Sequence, residues 1–99
     1  MKYVLTDKIL NERGKPIPDE DGKDTTLGVA IQVALLSGMD GEMQPIKGLA
    51  KVKRYKLFTK IVGQSEVTLD ADEVVMIKEA VMAFPTIIVG RVHEILDRG

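Results

Sequence analysis

Apolar residues recur at helical spacing in four stretches of this chain and crowd a short extended stretch at its start, with turn residues between them. From Lys2 to Leu10, the residues Tyr3, Val4, Leu5, Ile9 and Leu10 predict a strand. Asn11-Glu12-Arg13-Gly14 reads as a turn, because the Asn11 side chain can bond its own following backbone and Gly14 tolerates positive φ. A return strand through Lys15, Pro16 and Ile17 completes a hairpin, which Pro16 and Pro18 confine to a sheet edge. Thr25 or Thr26 then caps a core helix from Leu27 to Ser37, with Leu27, Ile31, Ala34 and Leu35 on one side and Gly38 placed to end it. Gly28 weakens the first turn of that helix by about 1 kcal/mol relative to Ala. After a connector over 38–45, Pro45 suits the first position of a helix over Ile46–Val62. One face of it carries Ile46, Ala50, Leu57 and Ile61, and a neighbouring face Tyr55, Phe58 and Val62. Gly63 stops it, and Gln64–Leu69 is a short extended link or third strand.

The strongest helix start follows. Asp70 can accept the first free backbone N–H groups, Glu73 can reach back to the cap, and Leu69 and Val74 are spaced as a hydrophobic staple. Asp70, Asp72 and Glu73 also favour the positive end of the helix dipole. The helix therefore begins near Ala71 and runs to about Phe84, where Pro85 ends it. Pro85 can open a second helix, Thr86–Asp97, with Ile88, Val92, Ile95 and Leu96 on one face and Arg98 and Gly99 near its end. In the first of these helices Val74, Ile77 and Val81 form one row, while Val75, Met76 and Met82 fall on others. A helix apolar over most of its circumference is central in its own domain or buried by another chain. Little of a 99-residue chain is left to surround it, so burial by a second subunit is expected through Val74, Ile77, Val81, Phe84, Ile88, Val92 and Leu96. The expected fold is a single α+β, mainly α domain over residues 1–99, an N-terminal β-hairpin followed by about four helices, the last two meeting at a proline corner.

Composition narrows the chemistry. A chain of this length supports one core, near the size where oligomerisation often supplements it. Hydrophobic content of 44% and charged content of 29% belong to an ordinary globular chain. Without cysteine there is no disulfide framework, thiol nucleophile or thiolate metal site. The longest charge-free stretch, Ala80 to Gly90, is too short for a membrane span and holds a proline. The segment MKYVLTDKILNERGK has charges where a signal peptide needs an apolar run, so a cytoplasmic protein is expected. Aromatic content of 4% weighs against a stacking platform for bases or sugars.

The net charge of −1 hides an asymmetry. Lys47, Lys51, Lys53, Arg54, Lys56 and Lys60 crowd the stretch between Met43 and Gln64, which has no acidic residue; its charge of +6 leaves the rest of the chain at −7. One reading is a phosphate-contacting surface whose affinity falls steeply with salt. The other is a solvated face or a complement to an acidic partner subunit, and the acidic remainder of the chain favours it. A helix-turn-helix would need a shorter connector than 38–45. Asp19-Glu20-Asp21-Gly22-Lys23-Asp24 invites a calcium reading, but the EF-hand positions before and after its glycine hold Ile17 and Gly28, so it reads as a solvated acidic turn. His93 is the sole histidine, with no cysteine or second histidine to join it in a metal site or triad, and Glu94 adjoins it without facing it, so it reads as a structural or surface histidine. Met76 and Met82 read as core or interface. Glu79 and Glu94 are separated by the proline corner, and no spacing rule pairs them for acid–base work. No catalytic, metal or cofactor site is expected.

The segments Asp24-Thr25-Thr26-Leu27-Gly28, KVKRYKLFTKI (51–61), EVTLDADEVVMIKEAV (66–81) and IVGRVHEILDRG (88–99) resemble small proteins of tailed bacteriophages and prophages, a family without an assigned biochemical role. The resemblance covers most of the chain and brings no catalytic residues. It implies a phage or prophage origin and residence in the bacterial cytoplasm. The expected function is a non-catalytic structural or protein-interaction module, a homo-oligomer that can also meet another phage or host protein. A nucleic-acid-associated accessory role for helix 46–62 is the alternative.

Overall fold

The order along the chain is β1 (Lys2–Val4), α1 (Leu27–Leu36), α2 (Gly48–Ile61), β2 (Glu66–Thr68), α3 (Ala71–Ala80) and α4 (Thr86–Arg98), with a 3₁₀ turn over Val81–Ala83 between the last two. The computed structural model describes every residue except Asp40, Gly41, Met43 and Gly99, so expectations for the middle of the connector and for Gly99 fall outside the described residues. An N-terminal hairpin and four helices make a mainly helical α+β fold, as expected.

Local chemistry sets the boundaries. Thr26 Oγ1 accepts the Val29 N–H at 3.2 Å and starts α1. The capping box of α3 is complete: the Asp70 carboxylate accepts the Glu73 N–H at 2.8 Å, and the Glu73 carboxylate accepts the Asp70 N–H at 3.0 Å. Gly38 and Gly63 take positive φ just past α1 and α2. Two helices are shorter than their apolar patterns. Pro45 does not open α2, because it pairs with Met39 in a β-bridge and the Ile46 N–H bonds the Gly38 carbonyl at 3.0 Å; the helix starts only at Gly48. α3 stops at Ala80 and tightens into the 3₁₀ turn, and Phe84 is extended, the conformation a following proline imposes.

The expected strand from Lys2 to Leu10 is the largest local correction. Only Lys2–Val4 forms a ladder, antiparallel to β2 with Tyr3 opposite Val67. Beyond it the Leu5 carbonyl is taken by the Gly28 N–H at 2.9 Å, and the chain turns off the sheet to reach α1. The extended link before Asp70 is thus a strand, and its partner is β1.

Residues 8–26 form a three-sided collar. The Ile17 N–H donates to the Ile9 carbonyl (3.0 Å), Thr25 to Ile17 (2.7 Å) and Ile9 to Thr25 (2.8 Å), so the donors close a ring. Its first side is the expected hairpin, with Leu10 bridged to Pro16. Both turns between the sides are built alike: Asn11 Oδ1 accepts the N–H groups of Arg13 and Lys15, and Asp19 Oδ1 those of Asp21 and Lys23. Gly14 and Gly22 sit at φ near 78° and 77°, where a side chain would strain the backbone. The sequence repeats with the geometry, ILNERGKP followed by IPDEDGKD.

α1 lies at the centre and packs against α2, α3 and the 3₁₀ turn. Ile9, Leu27, Ile31, Ile61, Leu69, Ile77, Val81, Val92 and Leu96 are the most deeply buried large side chains. Two polar contacts fasten the collar and β1 to α4. The Arg91 guanidinium donates to the carbonyls of Leu10 (3.0 Å) and Asn11 (2.8 Å), and the buried Tyr3 hydroxyl donates to the Leu96 carbonyl at 2.9 Å.

Candidate interaction surface

The residues expected to meet a second subunit separate into two groups. Ile77, Val81, Val92 and Leu96 are fully covered by this chain's own elements, so a second subunit is not needed to bury them. One chain supplies enough surroundings because α1 and the collar close over α3 and α4, a packing that helical periodicity alone does not reveal. Val74, Phe84 and Ile88 stay half-buried against the core.

The six basic candidates also divide. Arg54 is only 6% exposed and donates to the Met39 carbonyl at 2.8 Å, so it braces the connector. Lys60 bonds the Glu73 carboxylate at 2.7 Å. Lys47, Lys51, Lys53 and Lys56 are exposed, and none of the ion pairs among the described residues includes them. They share the outside of α2 with Leu49, Val52 and Tyr55, of which Leu49 is 70% and Tyr55 61% exposed. Tyr55 lies beside Phe58 with ring centroids 6.4 Å apart.

The apolar face without cover is on α1. From Leu27 to Leu36 this helix carries no charged residue. Leu27, Ala30, Ile31, Ala34 and Leu35 fill the core, while Val29, Val33 and Leu36 point outward, Val33 53% and Leu36 58% exposed. Their spacing of four and then three residues makes one row along the helix. At its N-terminal end the row runs into a hollow of about 550 Å³, where Val29 and Val33 meet Phe84 and Ile88 under a rim of Asp19, Glu20 and Asp21. At its C-terminal end Leu36 shares a second hollow, about 420 Å³, with Tyr55 and Lys51. One apolar row thus joins an acidic end to a basic end. Helical spacing could have shown it, since Val29, Val33 and Leu36 are as regular as the buried row beside them.

Two exposed ion-pair members have displaced titration. The hydrogen bond from Lys78 holds the Asp97 carboxyl below the ordinary carboxylate range, and Glu66 raises the Lys2 ammonium. His93 Nε2 is buried without a hydrogen-bond partner among the described residues. No helix among the described residues is long and apolar enough to cross a membrane. No protein-family model, curated protein sequence or solved structure matches this chain.

Proposed function

We propose that this chain is a non-catalytic protein-interaction module that works as a homo-oligomer, assembling through the outer face of α1. A phage-encoded structural role in the bacterial cytoplasm, which the sequence resemblance implies, is part of the same reading. The observation that supports it is the uncovered row Val29–Val33–Leu36 on a helix with no charged residue. Each such side chain gains roughly 25 cal/mol per Å² of apolar surface removed from water, and a contiguous exposed apolar patch marks a contact site.

Light scattering coupled to size exclusion tests it. The wild-type chain runs heavier than one copy, and Val33→Lys/Leu36→Lys runs as one copy with its far-ultraviolet spectrum retained, because both positions lie outside the core. A wild-type chain that stays at the mass of one copy up to its solubility limit overturns the homo-oligomer.

One further observation favours a second reading. Lys47 at the start of α2 and Lys51, Lys53 and Lys56 along it are exposed and belong to none of the ion pairs among the described residues, which favours a surface that contacts phosphate.

A further inference from the structure

Resting on that reading, we infer that the partner on α1 is a second copy of this chain, docked across a two-fold axis with the two α1 helices antiparallel. The charges at the ends of the apolar row select this arrangement. Glu20 and Asp21 stand at the N-terminal end of the row and Lys51 at its C-terminal end. None of the ion pairs among the described residues includes any of the three. Antiparallel docking sets Glu20 and Asp21 of one copy against Lys51 of the partner subunit, and the two-fold axis repeats the contact at the other end. Parallel docking sets acid on acid and lysine on lysine, and like charges across an interface disfavour it.

The apolar positions obey the same symmetry. A two-fold axis passing beside Val33 brings Val29 opposite Leu36 of the partner subunit, so the row is complementary to itself when reversed, as an isologous contact requires. From Val29 to Leu36 the row spans about 10 Å at 1.5 Å per residue. Phe84 and Ile88 extend it at one end and Tyr55 at the other, which widens the patch beyond a single helix.

A charge-swap experiment tests the orientation apart from the assembly itself. Lys51→Glu alone and Glu20→Lys/Asp21→Lys alone each place like charges at both ends of the antiparallel pair, and each is expected to raise the dimer dissociation constant by about tenfold or more. Mixing the two variants restores the wild-type constant, because in the mixed dimer both ends pair acid with base. Analytical ultracentrifugation of each variant and of the mixture reads the result. A wild-type dimer that neither variant alone weakens, the result a parallel pair gives, or one that does not recover on mixing, overturns the antiparallel arrangement and leaves self-association standing; a wild-type chain of one-copy mass overturns both.

Discussion

Gly28 shows how one residue can mean opposite things in a helix and in a fold. By propensity alone, Gly28→Ala in the first turn of α1 should stabilise the protein by about 1 kcal/mol. In the structure a Cβ at this position would lie 3.1 Å from both the Leu5 carbonyl oxygen and the Leu5 Cβ. That carbonyl cannot retreat freely, because it accepts the Gly28 N–H at 2.9 Å. Gly28→Ala is therefore expected to lower stability by about 1–2 kcal/mol, the usual cost of overpacking. Chemical denaturation reads the sign directly, and a variant more stable than wild type would show that the β1–α1 crossing yields to the added methyl. The same blindness hid Arg54 and Arg91. A charged side chain looks like surface in the sequence, and only the carbonyls it meets, Met39 for Arg54 and Leu10 with Asn11 for Arg91, reveal a brace.

Among the elements, those whose ends are written as caps were legible, and those bounded by tertiary contacts were not. Asp70 with Glu73 placed the start of α3 near Ala71, and Thr25 or Thr26 bracketed that of α1, where Thr26 is the residue that takes the Val29 N–H. α2 has no side-chain cap on Lys47, and its start is set by a bridge between Met39 and Pro45 that no local pattern announces. The collar was half legible, since its first hairpin follows from Asn11 and Gly14, while the second turn repeats it at an interval that an acidic-turn reading of Asp19–Asp24 passes over. α2 is also the element on which the phosphate reading stands or falls. If Lys47, Lys51, Lys53 and Lys56 all contact phosphate, affinity for an oligonucleotide should fall about a hundredfold between roughly 50 and 200 mM salt. Fluorescence anisotropy with labelled single- and double-stranded DNA measures this, and Lys53→Glu/Lys56→Glu should abolish the binding without unfolding, both side chains being exposed. Absence of binding at the lower salt would return these lysines to solvent or to an acidic partner.

For the molecule as a whole, the question is whether one copy folds on its own. The deep core draws on the collar, all four helices and the segment beside β2, and it is closed within a single copy: Ile9, Leu27, Ile31, Ile61, Leu69, Ile77, Val81, Val92 and Leu96 are all fully covered. The row Val29–Val33–Leu36 lies outside this closure. Self-association should then add to the stability of a monomer that already folds, rather than create it. Association linked to folding makes the melting temperature rise with protein concentration. For a domain of this size the expected rise is roughly 3–5 °C per tenfold increase in concentration. Val33→Lys/Leu36→Lys should remove the concentration dependence and still melt in one cooperative step, at the temperature the wild type approaches on dilution. If that variant instead loses its cooperative transition, the outer row of α1 belongs to the folding core and the chain depends on its partner to fold. A flat wild-type curve with an unchanged variant would leave the α1 face without a role in self-association.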